Sequence, residues 1–454
     1  MPVHSQTPAA IRIQWLALLL VGLALAAYGA FLYRYAFNIP FADDIKDVLQ
    51  VLSDIEEAQG IGEVFPRLFE QLNDHRTLSS RLVYLAVYQF YGEVNFRGLV
   101  FLANLALPLL LWLLYLPLRQ SGASVLVIVP AALLLLQLRT YGITFWSMAA
   151  FAYFYVFLYG FASLYCLHKV NGKRFSLAIL FATLSTFSLA SGQLIWLVGF
   201  ASLLHQCLLL RRASLWYLSI WLLTAALVLV AWRIGLETPN TVSGVLEHFF
   251  STPLKHIGYY LVLLGSAFSE QNVIPAGLSG VLILLLLVLS SLRNYRQEDL
   301  RLELCAWFTA LSIAAMVLGR APYSPMEYAL SSRYSFPSVL LMATVWVMLA
   351  TRLSLHGRRL LGLAILLSSV YCINSYRLYS AALQPELERR VELFNSAVYW
   401  QFGTSLPESN AIVARAVELE IWRPPDRPHP LPKLAISGSS KPDLSRDEKR
   451  VRDE

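Results

Sequence analysis

The amino-acid sequence predicts an all-α polytopic membrane protein. Of its 454 residues, 57% are hydrophobic and only 14% are charged, whereas soluble domains carry roughly 25% charged residues. The apolar residues form runs close to the roughly 20 residues that a helix needs to cross a bilayer core. Charged residues are concentrated between these runs. This pattern excludes a soluble enzyme, a DNA-binding protein and a disordered scaffold.

The apolar runs predict eleven membrane-spanning helices. Their approximate bounds are 12–33, 95–118, 123–138, 147–167, 175–192, 194–210, 214–233, 275–292, 300–318, 336–352 and 360–376. We expect the first span to be retained, because no small-x-small cleavage site follows it. Segment 254–269 is apolar enough for a short span or a re-entrant helix, but an eleven-span count leaves it outside the set.

Basic residues predict the orientation of the spans. They cluster in alternate connections, at Arg119, 168–174, 211–212, 293–301 and 352–359. Positively charged loops remain in the cytoplasm, which places the N-terminus there and, after an odd number of spans, the C-terminus on the other side. For a bacterium, this predicts a multi-pass protein of the inner membrane. The net charge of +7 is explained by this orientation, so we predict no nucleic-acid partner.

The external segments predict a helical platform and a C-terminal extension. Segment 34–94 has amphipathic spacing over 45–55 and 64–72 and a third helix over 78–91, all expected on the membrane surface. The other external segments are 234–274, 319–335 and 377–454.

We divide the chain into a transmembrane module over 1–376, a periplasmic helical segment over 377–422 and a disordered tail over 423–454. The middle segment contains predicted surface helices at Pro385–Phe402 and 411–421. The tail is Pro-rich and then charged.

Asp43 and Asp44 stand where the first predicted surface helix begins. One interpretation is structural: Asp43 caps the helix and Asp44 complements its dipole. The other is a carboxylate pair at the water–lipid boundary, in which one member is a general base and the other binds a metal or orients the base. The two interpretations are compatible, since a cap can also be a base.

Cationic residues in the external segments predict phosphate binding. Arg76 suits bidentate contact with a phosphate, and His75 can donate to one or carry a proton. Arg320 and Arg333 lie in an external segment beside predicted spans, whereas arginines that flank spans are usually cytoplasmic. Further candidates are Asp74, Tyr334, Lys255 and His256. Each residue alone is also explained as a solvated helix terminus or loop.

Several motifs are absent from the sequence. It contains no Walker A loop, no Gly-x-Ser-x-Gly, no His-Glu-x-x-His and no Cys/His metal cluster. Charges within the spans are scarce and no inverted repeat is evident, which disfavours a secondary transporter. A reaction outside the cytoplasm would therefore need an activated donor carried by the membrane.

This arrangement resembles the GT-C superfamily of integral-membrane glycosyltransferases. The superfamily includes protein O-mannosyltransferases, aminoarabinose transferases acting on lipid A, and bacterial arabinofuranosyltransferases. The similar residues are Phe41-Ala42-Asp43-Asp44, Asn73-Asp74-His75-Arg76, Arg81-Leu82-Val83-Tyr84-Leu85, Phe90-Tyr91-Gly92, Asn95-Phe96-Arg97, Gly319-Arg320 and Arg333-Tyr334. The resemblance covers 1–118 and 300–350 and is only hydropathic elsewhere.

The resemblance implies a polyprenyl-phosphate-linked sugar donor and single displacement with inversion. It assigns Asp43 as the base and Asp44 as its support. Contacts to the donor phosphate would come from His75, Arg76, Lys255, Arg320 and Arg333, and contacts to substrate from Asp74, His256 and Tyr334. The pair of aspartates is similar to that of arabinofuranosyltransferases, which makes a pentofuranose such as arabinofuranose one candidate sugar. Metal dependence varies in the superfamily, so no cofactor is fixed and a divalent cation stays an open option.

The implied acceptor is a periplasmic protein such as a pilin, lipid A or a polysaccharide. Because the C-terminal segment is short, we expect the external loops to hold it, next to membrane lipid. Two alternatives stay open at this point. One is a transporter or flippase for lipid-linked sugars, and the other is an O-antigen ligase or polymerase, whose large external loop is expected late in the chain.

Overall fold

A computed structural model describes residues 8–211, 213–237, 242–269, 271–352, 358–401 and 403–431. The described residues are helical with connecting turns, and the one strand-like pairing among them is an isolated bridge between Leu72 and His75. The predicted all-α fold is therefore confirmed. The helices of four or more residues are Pro8–Tyr35, Ile45–Gln50, Val51–Glu56, Ile61–Phe69, Leu78–Tyr91, Phe96–Asn104, Ala106–Ser121, Ile128–Leu135, Tyr141–Thr144, Ser147–Leu167, Gly172–Thr186, Ala190–Gln193, Leu194–Leu208, Leu215–Arg233, Val242–Ser251, Pro253–Leu264, Val273–Asn294, Arg301–Arg320, Met326–Leu330, Phe336–Arg352, Arg358–Asn395 and Leu406–Glu418.

Eight helices within the described residues are long and apolar enough to cross a membrane. They are Arg12–Tyr35, Phe96–Ser121, Val125–Thr144, Ser147–Leu167, Leu215–Arg233, Val273–Asn294, Arg301–Arg320 and Arg359–Asn395. This supports the membrane-protein class and leaves the count of eleven spans a prediction. The predicted spans over 175–192 and 194–210 are helices of only 15 residues each, which rise about 22 Å against a core of about 30 Å. The apolar helix Phe336–Arg352 has 17 residues.

Segment 254–269, which the sequence left open as a short span or a re-entrant helix, forms a helix of 12 residues, Pro253–Leu264. It packs closely on Val273–Asn294 through two glycines. A Cβ atom on Gly265 would lie 1.9 Å from the Ala276 carbonyl oxygen, and one on Gly280 would lie 1.9 Å from that of Leu261. Small residues of this kind let two apolar helices approach at backbone distance. A helix of 12 residues rises only about 18 Å, which is too short to span.

All three helices predicted in the first external segment are present, and the first of them is buried within the protein. It starts as a π-helical turn, Ile45–Gln50, and continues as Val51–Glu56. Its apolar side chains are buried, and the Leu406–Glu418 helix covers it. Amphipathic spacing identifies a helix with one apolar face and does not distinguish lipid from protein as its cover.

The predicted separation between a last span and a C-terminal surface helix is not observed. Residues 358–395 form one helix of 38 residues, with Pro385 inside it. Its length of about 57 Å exceeds the bilayer core of about 30 Å, so the helix is longer than a span needs. The helix ends at Asn395, seven residues before the predicted end at Phe402.

Residues 396–401 and 403–431, which we call the strap, fold back over the first external segment. Arg415 binds Asp54 at 2.6 Å, and the Val94 amide donates to the Ile421 carbonyl oxygen at 2.7 Å. Residues 423–431, predicted as part of a disordered tail, also make defined contacts, such as Asn38 Nδ2 to the Arg423 carbonyl oxygen at 3.1 Å. The remainder of that prediction, 432–454, lies outside the described residues.

Candidate active site

Asp43 lies in a tight turn at the start of the π-helical segment. Ala42 has a positive φ of 48°, and the Asp47 amide donates to the Asp43 carbonyl oxygen at 2.8 Å. The Asp43 residue is 8% exposed and borders a cavity of about 310 Å³, which we call cavity A. The residues lining it are Phe41, Ala42, Asp43, Gly142, Trp146, Ser331, Ser332, Arg333, Glu386 and Trp400. Its volume is at the lower end of those seen for small-ligand sites.

The Asp43 carboxylate is under-satisfied. Burial, followed by the charge of Asp47, raises its pKa to about 6, while Arg333, Asn73 and Lys46 act in the opposite direction. Its Oδ1 atom is buried and has no hydrogen-bond partner among the described residues. A buried carboxylate of this kind costs free energy unless something satisfies it.

A second unpartnered polar atom belongs to the same cavity. The indole Nε1 of Trp146 is buried without a hydrogen-bond acceptor in the described part of the chain. Cavity A is therefore bordered by two residues with an unsatisfied polar atom, an acceptor on Asp43 and a donor on Trp146. A hydroxyl group, which can donate and accept, complements such a pair.

Arg333 lines cavity A as its cation. Its guanidinium carbon lies 5.2 Å from the centroid of the Tyr328 ring and 4.9 Å from that of Tyr334. It makes no hydrogen bond or ion pair within the described ranges, and none joins it to Asp43. Opposite charges thus border one cavity without neutralising each other directly, which leaves both for a ligand.

Gly142 lets the loop that carries Arg333 approach the bundle. A Cβ atom at this position would lie 2.5 Å from Ser332 Oγ and 3.3 Å from the Arg333 amide nitrogen. A larger residue would require the Ser332 side chain to move and the Arg333 backbone to shift slightly. Gly142 was not among the residues predicted from the sequence.

Asp44 stabilises the scaffold beneath Asp43. Its Oδ1 accepts from Ser147 Oγ at 2.6 Å and from the Met148 amide at 2.9 Å, and its Oδ2 accepts from the Phe41 amide at 3.0 Å. Burial raises its pKa to about 7, and these hydrogen bonds oppose the change. Asp44 therefore caps the Ser147–Leu167 helix. The structural interpretation had instead made Asp43 the cap of the helix that follows it, and no side-chain cap hydrogen bond is present at the start of that helix. Asp44 has no free oxygen to act on a substrate, which fits the supporting role.

Asp47 and Arg81 form a buried ion pair that the sequence analysis did not foresee. Arg81 Nε lies 2.8 Å from Asp47 Oδ1, which also accepts from Thr77 Oγ1 at 2.6 Å. Both charged residues are at most 2% exposed. The pair ties the π-helical turn to the Leu78–Tyr91 helix and so fixes the backbone that carries Asp43.

A second cavity, cavity B, brings together four residues that the sequence analysis selected. Its volume is about 250 Å³. The residues lining it are Asp74, His75, Tyr153, Leu189, Ala190, Ser191, Val245, Ala315, Met316, Gly319, Arg320 and Tyr334. The Arg320 guanidinium carbon lies 5.6 Å from the centroid of the Tyr334 ring. Since Arg333 contacts the same ring, Tyr334 lies between the two cavities.

His75 is neutral at pH 7. Burial lowers its pKa to about 4, Arg320 acts in the same direction and Asp74 opposes it. The residue closes a turn in which its amide donates to the Leu72 carbonyl oxygen at 3.0 Å. A neutral imidazole can hydrogen-bond to a ligand but adds no positive charge for a phosphate.

Three predicted residues lie away from both cavities. The Arg76 guanidinium donates hydrogen bonds to three backbone carbonyl oxygens. That of Trp232 lies 2.9 Å from Nε, and the other two belong to Phe69 and Ile234. Arg76 satisfies the end of the Leu215–Arg233 helix, where carbonyl groups lack intrahelical partners, so the structure does not support its predicted phosphate contact.

Lys255 and His256 lie on the short Pro253–Leu264 helix. His256 is buried, and its Nδ1 lies 2.9 Å from the Thr252 carbonyl oxygen. Neither residue lines cavity A or B. The structure therefore gives no support to the predicted role of this pair in substrate binding.

Among the described residues, no three or more His, Cys, Asp or Glu side chains are grouped as metal ligands would be. Comparisons of the chain with protein-family models, with curated proteins and with solved structures find no match. The functional interpretation therefore rests on the two cavities and on the residues around them.

Proposed function

We propose that the protein is a membrane glycosyltransferase that moves a sugar from a polyprenyl-phosphate donor to an acceptor hydroxyl, with Asp43 as the general base. The observation that carries this proposal is the Asp43 carboxylate. It is buried, lacks a partner for Oδ1, and has a pKa raised to about 6. Such a group is a stronger base than an exposed carboxylate and is still mostly ionised at pH 7, as general-base catalysis requires.

In the proposed reaction, Asp43 takes the proton of the acceptor hydroxyl as its oxygen attacks the anomeric carbon of the sugar. A bond forms between the acceptor oxygen and that carbon, and the bond from the carbon to the phosphate oxygen breaks. The electron pair of the broken bond stays with polyprenyl phosphate. One displacement of this kind inverts the anomeric configuration.

The arginines beside the cavities suit the departing phosphate. Arg333 borders cavity A and Arg320 borders cavity B, and each lies over the Tyr334 ring. Fixed cations near the point where negative charge develops stabilise a transition state more than a ground state. In this proposal, the acceptor occupies cavity A, the donor sugar occupies cavity B, and the phosphate lies near the two arginines.

The surroundings of cavity B favour a lipid-borne donor. Its wall carries apolar side chains, among them Leu189, Val245 and Met316, together with the end of the Arg301–Arg320 helix. That helix is one of the eight that could cross a membrane. A donor whose chain runs in the bilayer could therefore bring its headgroup to cavity B without leaving the lipid.

The proposal is tested by separating bond formation from transport. Purified protein in proteoliposomes would be supplied with radiolabelled polyprenyl-phosphate sugars and a mixture of candidate acceptors. The proposal requires a new glycosidic bond and release of polyprenyl phosphate. Movement of intact donor between leaflets without bond formation would contradict it and would favour a flippase.

Arg333→Gln provides a second test of the same proposal. We expect the transfer rate to fall at least ten-fold, because the leaving phosphate loses a fixed charge. Arg389→Gln is the matched control, since Arg389 is exposed on the Arg358–Asn395 helix and lines neither cavity. An equal effect of both variants would remove Arg333 from the mechanism.

A further inference from the structure

Ser191 is a buried residue of cavity B that the proposed mechanism does not yet use. It lies in the turn Ala190–Gln193 and is 5% exposed, and its Oγ is buried without a hydrogen-bond partner in the described part of the chain. Gly192 holds this turn close to the neighbouring helix, because a Cβ atom there would lie 1.9 Å from the Ser185 carbonyl oxygen. Ser191 is therefore fixed in place, with its hydroxyl unsatisfied.

His75, which lines the same cavity, carries a second unsatisfied atom. Its Nδ1 is buried and has no partner among the described residues. The turn that carries His75 is held by the paired backbone hydrogen bonds with Leu72, at 2.9 and 3.0 Å. Ser191 and His75 come from segments more than one hundred positions apart in the sequence, yet they line one cavity without bonding to each other.

We infer that Ser191 and His75 together bind one hydroxyl group of the donor sugar and so select which sugar is accepted. This inference rests on the proposed function, since it takes cavity B as the donor-sugar site. A serine hydroxyl donates and accepts, and a neutral imidazole nitrogen does one or the other according to its tautomer. The pair therefore offers one donor and one acceptor, which is the complement of a hydroxyl group. A purely anionic group only accepts hydrogen bonds, so it would leave the acceptor of this pair unsatisfied.

The selection should be strong because the protein groups are buried. A sugar that lacks the hydroxyl leaves Ser191 Oγ and His75 Nδ1 unpaired inside the complex, and sites built on such pairing reject the incomplete ligand. We expect a discrimination of about 10-fold to 100-fold in Kd from one pair of hydrogen bonds.

The test measures binding, not turnover. The full chain carrying Asp43→Asn, which prevents transfer under the proposal, would be placed in nanodiscs. Probes would be farnesyl phosphate, farnesyl-phosphate-linked arabinofuranose and mannose, and the monodeoxy analogues of the tighter-binding sugar. The expected result is that one deoxy position alone weakens binding about 10-fold to 100-fold. In Ser191→Ala and in His75→Phe, that difference should shrink to below about 3-fold.

Ser176→Ala, at an exposed position, is the matched control and should keep the full discrimination. The inference is overturned if the discrimination is unchanged in both cavity variants, or if no sugar-bearing probe binds more tightly than farnesyl phosphate. Thermal midpoints of the variants show whether each still folds, and Ser191→Ala removes no hydrogen bond that the structure contains. Binding selectivity without any transfer by wild type would refute only the proposed reaction, and transfer without selectivity would refute only this inference.

Discussion

Replacing Asp43 by asparagine should stabilise the folded protein at neutral pH while it removes the proposed activity. The pKa of Asp43 rises from 3.8 to about 6 on folding. The folded state therefore holds the Asp43 proton more tightly than the unfolded state does. A group with a raised carboxyl pKa costs stability increasingly as the pH rises from about 4 to about 6, and the full cost applies above that range.

The size of the effect follows from the same values. A difference of about two pH units corresponds to about 3 kcal/mol, at ~1.4 kcal/mol per unit. The asparagine amide is neutral at every pH and avoids this cost, but its buried polar atoms need partners, which costs ~1 kcal/mol. We therefore expect Asp43→Asn to gain about 1–2 kcal/mol at pH 7.5 and to gain nothing at pH 4, where wild-type Asp43 is already largely protonated.

The assay compares unfolding midpoints of wild type and Asp43→Asn in the same detergent at pH 4 and pH 7.5. The midpoint of the variant should be higher at pH 7.5 and equal or lower at pH 4. A variant that is less stable at pH 7.5, or a difference that does not change with pH, would refute the reasoning that Asp43 is a strained carboxylate. Such a result would instead fit a structural role like that of Asp44.

The remaining predictions address the base, its scaffold and the strap. The transfer rate should rise with pH through a midpoint near the Asp43 pKa of about 6, because only the ionised carboxylate accepts a proton; a flat profile between pH 5 and pH 8 would count against it. Asp47→Asn should lower stability by about 3–5 kcal/mol at pH 7.5, because it leaves the buried charge of Arg81 without a counter-ion. An unfolding midpoint like that of wild type would show the ion pair to be unimportant. Trp422→Ala should lower the free energy of unfolding by about 3–5 kcal/mol, because it opens a cavity between the strap and the bundle. If this variant were as stable as wild type, the strap would be only loosely attached.

The sequence predicted the protein class and the position of the first external helices from apolar spacing alone. It also selected residues that the fold brings together, since Asp74, His75, Arg320 and Tyr334 line one cavity. Those residues could be selected because charged groups beside apolar spans are rare and so are conspicuous. Their division between two cavities could not be predicted, because it depends on which loops meet in space.

Other features escaped prediction for physical reasons. Asp47 lies in segment 45–55, which was predicted to be a surface helix, because spacing cannot show that a strap far along the chain covers that helix. Arg76 is a cation at a loop, but the sequence cannot tell whether carbonyl oxygens or a ligand satisfy it. Ser191 follows Ser185 and Ser188 closely in the sequence, so its residue type does not distinguish it from its neighbours. The one available signal was the Gly192 beside it, since a glycine between two helices permits a close approach.

The most direct test of Asp43 as the base is the transfer rate of Asp43→Asn in proteoliposomes, measured at saturating donor and at pH 7.5. Glu418→Gln, at an exposed position on the strap helix, makes the same charge change and serves as the control. We predict a fall of about 10²–10⁴-fold in the transfer rate of Asp43→Asn, as for the loss of a general base. The Kd for farnesyl-phosphate-linked sugar should change by less than about 3-fold, and the control should be unaffected. A variant that transfers within ten-fold of the wild-type rate would contradict the central claim.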